Sequence, residues 1–86
     1  MTSTIPAPIQ LNIDSQIHNN ANGNNFTETG FYFIGTTSAN LPAGFCTLLV
    51  FKGPTFTMQM LVRIDALYTR RMSNGTWDAW KGVPLS

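Results

Sequence analysis

The chain has one cysteine, Cys46, and one histidine, His18, so it can close no internal disulfide and holds no cluster with zinc-site spacing. Charge is equally scarce. Asp, Glu, Lys and Arg make up 10% of the residues, where soluble domains carry about 25%. Five basic against four acidic residues leave a net charge of +1, too little to grip a phosphate backbone, so nucleic acid is not an expected partner. Apolar runs such as Leu48 to Phe51 are far too short to span a bilayer. The opening residues lack the basic start and apolar core of a secretory signal. These absences predict synthesis in a cytoplasm, no membrane insertion and no cofactor or metal.

Eighty-six residues make one domain. A chain of this size buries only about 60% of the surface its unfolded form exposes, which leaves a thin margin of stability. With neither disulfide nor metal to staple it, oligomerisation is the expected remedy.

The chain divides in the reading at residue 25. Residues 1–25 form an extended arm followed by a hinge. Pro6 and Pro8 precede Ile9, Leu11 and Ile13, whose spacing of two puts the three side chains on one face, and the prolines favour an edge or a tether over a central strand. Such an arm suits docking on another chain. The run from His18 through Asn25 is rich in asparagine, whose side chain forms local turns, and it reads as the hinge.

Residues 26–86 read as a small, mostly antiparallel all-β domain of about five strands. Gly30 to Gly35 is aromatic and β-branched between glycines, and is the first strand. Leu41-Pro42-Ala43-Gly44 is a turn. Phe45 to Phe51 lacks clear alternation, which predicts a central strand buried on both faces, one of them against a neighbouring subunit. From Thr57 to Ile64, Met58, Met60, Val62 and Ile64 alternate with Thr57, Gln59, Leu61 and Arg63, and the methionines are expected to face the core. Leu67 to Met72 is another strand. Asn74-Gly75 then predicts a tight hairpin, because a type I′ loop needs positive φ at both central residues. The last strand carries Trp77 and Trp80.

The order Gly30-Phe31-Tyr32, Leu41-Pro42-Ala43-Gly44, an apolar strand, Gln59, Tyr68-Thr69-Arg70, Gly75 and Trp77-Asp78-Ala79-Trp80 resembles the pyocin knob domain. Such knobs sit on bacteriophage tail fibres and on the fibres of phage-tail-like bacteriocins. The resemblance runs from about Phe26 to Val83. It implies a virion protein, released by cell lysis, that forms a homotrimeric fibre tip and binds a bacterial surface polysaccharide without chemical turnover. Because 25 residues precede Phe26, the alternative is a short structural or decoration protein of capsid, baseplate or tail. In either case the arm, through Ile9, Leu11 and Ile13, would join the other virion proteins.

Several residues bear on chemistry. Trp77 and Trp80 suit stacking on sugar rings, but in an unbroken strand they lie on opposite faces and form no shared platform unless a bulge intervenes; burial in the core is the plainer role. Arg70 either stacks on an indole or pairs with Asp78, or it donates to glycan hydroxyls or a receptor carboxylate. Arg71 is placed on the more apolar face. Asp14, Glu28, Asp65 and Asp78 show no spacing that suggests the paired carboxylates of a glycosidase, so no catalytic residue is assigned. His18 has no evident partner, and Cys46 reads as a small core hydrophobe. The ligand-binding candidates are Tyr68, Arg70, Trp80 and Asn40, an amphipathic ring with hydrogen-bond donors near turns.

Overall fold

Short runs of β-branched and aromatic residues, cut by glycine, proline and asparagine, give nine strands among residues 12–85, the part described in a computed structural model. They are β1 (Asn12–His18), β2 (Ala21–Asn22), β3 (Gly30–Ile34), β4 (Thr37–Ala39), β5 (Cys46–Lys52), β6 (Thr57–Val62), β7 (Ala66–Ser73), β8 (Thr76–Trp77) and β9 (Lys81–Pro84). Seven belong to one sheet, in the order β1, β3, β5, β6, β7, with β8 and β9 sharing the far side of β7. β2 and β4 form a separate two-stranded sheet. The only helical element among the described residues is a 3₁₀ turn at Gly23–Asn25, and no helix is long and apolar enough to cross a membrane.

The fold is mostly β, as the sequence predicts, but the sheet is mixed and has more than five strands. β3, β5, β6 and β7 are antiparallel neighbours, whereas β1 runs parallel to β3 and β2 parallel to β4. The parallel pair follows from the path of residues 19–29, which leave β1 and return to start β3 at the same end; a two-residue turn cannot make that crossover. Residues 12–25, read as the end of an arm and a hinge, are built into the fold: β1 is an edge strand of the large sheet, β2 pairs with β4 in the small one, and Ala21 belongs to the buried core. Ile13 sits on edge strand β1 and is 63% exposed. Ile9 and Leu11 lie outside the described residues.

Cross-strand register sorts the side chains into two faces. On the inner face Tyr32, Leu48, Leu61 and Tyr68 stand opposite one another in a row across four strands. Gly30, Val50, Gln59 and Arg70 make the next row. Ala21, Ile34, Leu48, Val50 and Leu61 are the buried core, and Phe26, Leu41, Ala43 and Trp80 pack on it from the connecting segments. These segments form a lid over one side of the sheet only.

The outer face presents Ile13, Phe31, Leu49 and Met60 in one row and Ile17, Phe33, Thr47, Val62, Leu67 and Val83 in another. Among the described residues nothing covers it, and Ile17, Phe33, Phe51, Val62 and Val83 are exposed. Burial of β5 on both faces is therefore not met among the described residues. The orientation of β6 is the reverse of the one expected: Thr57, Gln59 and Leu61 are buried, and Met58 and Met60 lie on the outer face. Polarity misleads here because Gln59 has every reason to be inside, as its partners show below.

Asn74 and Gly75 have φ of 53° and 77°, and Ser73 pairs with Thr76, which is the predicted two-residue hairpin. The strand after it is not continuous. β8 ends at Trp77, Asp78 to Trp80 leave the ladder, and β9 resumes pairing at Lys81.

Candidate functional site

That break in the edge strand brings the two indoles together. Trp77 is opposite Met72 and so faces inward. Three residues further on, strand alternation would send Trp80 to the other face. The irregular stretch Asp78–Ala79 instead returns it to the same side, where both rings stack on one cation. The Arg70 guanidinium carbon lies 4.0 Å from the centre of the Trp77 ring and 4.7 Å from that of Trp80. Cation–π attraction strengthens when the cation is withdrawn from water, and Arg70 is 7% exposed.

Arg70 is held from below by Gln59. Arg70 Nε donates to Gln59 Oε1 at 2.7 Å, while Gln59 Nε2 donates to the carbonyls of Gly23 and Phe26 at 2.7 and 2.8 Å. Gln59 is wholly buried with its amide satisfied on both ends, which is the condition under which burial of a polar side chain is tolerated. Gly23 must be glycine, since a Cβ there would collide with the Asn40 carbonyl and press on the Arg70 guanidinium.

A ring of asparagines completes the wall. Arg70 Nη2 donates to Asn24 Oδ1 at 2.9 Å. Asn22 Oδ1 accepts from the Asn24 backbone N–H at 3.0 Å and from Asn40 Nδ2 at 2.8 Å. The Asn40 carbonyl in turn accepts from Trp80 Nε1 at 3.0 Å. Asn40 has φ of 61°, a left-handed conformation that asparagine tolerates better than most residues. The asparagine-rich segment thus accepts a hydrogen bond from the cation at Asn24 and, through Asn22, holds Asn40, whose carbonyl accepts from the second tryptophan.

The result is a shallow cleft of about 660 Å³ lined by Asn24, Asn40, Arg70, Thr76, Trp77, Asp78 and Trp80, among others. Three of the four residues singled out from sequence meet there: Arg70, Trp80 and Asn40. Tyr68 does not line it; it shares the inner face of β7 but packs on the core beside Gly82. Trp77, weighed for sugar stacking but not kept among the candidates, and Asn24, not considered, also line it, as do Thr76 and Asp78. A bulge after the hairpin would have revealed Trp77, but no sequence signal marks it. Asn24 was hidden in a run whose composition alone suggests a loop.

The remaining candidates are sorted by the fold. Arg70 rather than Arg71 is the buried arginine; Arg71 is exposed and meets Asp78 at 3.4 Å, so Asp78 is not the partner of Arg70. Burial pushes the Arg70 pKa down to about 10, which leaves it charged at neutral pH. His18 does have a partner, Asp14, with Nε2 and Oδ2 2.9 Å apart. Asp14 and His18 share a face of β1, and the bulge between Asp14 and Ile17 brings them opposite Tyr32 and Ile34, within reach of each other and with the His18 ring beside Phe26 and Tyr32. Hydrogen bonds from the Gln16 N–H and the His18 ring hold the Asp14 carboxyl below its ordinary range. Cys46 is half-buried, its thiol pushed up by burial. No group of three metal-ligating side chains occurs among the described residues.

Chemically, the cleft offers two aromatic rings, amide groups, a hydroxyl and one cation. Asp78 is the one carboxylate in its lining. The chain matches no protein-family model, no curated protein and no solved structure.

Proposed function

We propose that the chain is a non-enzymatic attachment protein of a phage particle, a fibre tip of the kind that the pyocin knob resemblance implies, and that the Trp77–Trp80 cleft binds a host-surface glycan. The observation that carries the reading is the meeting of two part-exposed indoles with amide donors in one concavity. Pyranose rings present an apolar C–H face and a rim of hydroxyls, and such a site matches both. A single carboxylate in the lining supports binding over glycoside hydrolysis, which uses two.

Assembly into a homotrimer belongs to the same proposal, with further copies of this chain as the occupants of the outer sheet face. That face is about six strands wide and offers on the order of 500 Å² in plan. With side-chain relief counted, this approaches the roughly 800 Å² per partner of a standard interface. Its two central rows carry one charged residue, Lys81, at the edge, so identical faces can meet with little like-charge repulsion. Repeated weak contacts from several copies then supply useful affinity.

The test is a glycan array and a host-cell binding assay with the assembled protein, alongside Trp80→Ala. Binding that falls by about tenfold or more in the variant supports the reading. No binding to any host surface by a folded, assembled protein overturns it and leaves the short decoration protein, joined to the particle by residues 1–25.

A further inference from the structure

Among the described residues, Arg70 is a cation withdrawn from water with no anion to balance it. Its polar partners among the described residues, Gln59 Oε1 and Asn24 Oδ1, are neutral, as are the two rings. Every carboxylate side chain of the molecule is engaged elsewhere: Asp14 with His18, Glu28 with Lys52, Asp65 with Arg63, and Asp78 with Arg71. Buried charges are ordinarily paired, because the loss of hydration is repaid only by an opposite charge at close range. A guanidinium nine-tenths buried whose partners are all neutral is open to a counter-charge brought by a ligand.

The geometry leaves that cation one free edge. Nε and Nη2 are occupied, whereas Nη1 has no acceptor among the described residues. Among the described residues no enclosed side-chain nitrogen lacks a partner, so Nη1 opens to solvent where Arg70 lines the cleft. Arg70 also lines a smaller hollow of about 270 Å³ on the other side of Asp78–Ala79, together with Arg71 and Lys81. Three of the five cations of the chain thus gather around one carboxylate, Asp78.

We propose that the ligand of the cleft is an acidic saccharide, with its carboxylate received by Arg70 and its ring stacked on an indole. This rests on the glycan-binding reading above. A carboxylate fits the planar guanidinium edge, and on a uronate it projects from the ring's equatorial rim. A sugar lying on an indole therefore carries its charge toward the edge of the arginine–indole stack, while its hydroxyls face Asn40 and Thr76. Neutral sugars of the same outline leave the cation unpaired and bind less well.

Trp77 and Trp80 are the only tryptophans, so their emission reports ligand entry directly. The experiment titrates the full chain with glucuronate, galacturonate, mannuronate and sialate oligosaccharides, with each of these after reduction of the carboxyl to an alcohol, and with phosphorylated neutral sugars. Binding of at least one acidic oligosaccharide about tenfold or more tighter than its reduced form, weakening as salt is raised, supports the proposal. Equal affinity for acid and reduced form overturns it while leaving the glycan cleft intact. A phosphorylated sugar bound as tightly as the best carboxylate overturns the assignment of carboxylate. Binding of nothing on the panel, acidic or neutral, overturns both readings. Arg70→Gln, if folded by circular dichroism, is expected to bind acidic and reduced forms alike; if it does not fold, the comparison of ligands decides alone.

Discussion

Gln59 is the residue on which the candidate site turns. Its amide joins the sheet to the lid through Gly23 and Phe26 and at the same time fixes Arg70 beneath the indoles. Gln59→Leu fills similar space but strands Arg70 Nε and two backbone carbonyls. Urea denaturation should show a loss of about 2–4 kcal/mol, since each buried polar group left without a partner costs on the order of 1–3 kcal/mol and a charged one more. Stability equal to the parent would mean that Arg70 is held by its other contacts. This residue also marks where sequence reading stops. Alternation in β6 was legible as a period, but nothing in it says which of two half-apolar faces is inside. The answer came from partners far along the chain, an arginine 11 residues later and carbonyls 33 and 36 residues earlier. Polarity ranks a lone glutamine as a surface residue, and only the distant pairing reverses that ranking.

Among the elements, those governed by local chemistry were readable and those governed by distant pairing were not. The Asn74-Gly75 hairpin, the strand from Gly30 and the central strand of Leu48 and Val50 follow from turn residues and from β-branched or aromatic density. The parallel edge strand β1 and the interruption at Asp78–Trp80 depend on neighbours that no local pattern names. β1 carries its own pH-sensitive fastening in the contact of Asp14 with His18 and the Gln16 N–H. The folded pKa of Asp14 lies below its ordinary 3.8. Its contribution is therefore complete above the unfolded value and is lost as pH falls through the folded one. Hydrogen-exchange protection factors, corrected for the intrinsic rate at each pH, should fall at the β1–β3 ladder ahead of those at β5–β6 as the pH is lowered from about 5 to about 2. An equal fall in both ladders would assign β1 to the same cooperative unit as the central strands.

At the scale of the molecule, one lidded face and one open face suggest a subunit that completes its core only in company. Met60 lies in a central row of the open face, between Leu49 and Thr69. Met60→Glu should leave the inner core unaltered and shift sedimentation from three times 9.5 kDa to the single-chain mass, because a carboxylate on an apolar contact surface is costly to desolvate. A parent protein that already sediments as one chain would refute the assembly, and a variant that stays trimeric would move the interface elsewhere. The interrupted edge strand has a last consequence. Asp78 and Ala79 form part of the cleft rim; Asp78 is still tied to Arg71 of β7 by its backbone N–H and its carboxylate, whereas Ala79 lies between the two paired stretches. Of the cleft's lining, Ala79 is thus a position where the rim can be altered at small cost to the scaffold, while Arg70 and Trp80 serve recognition and folding together.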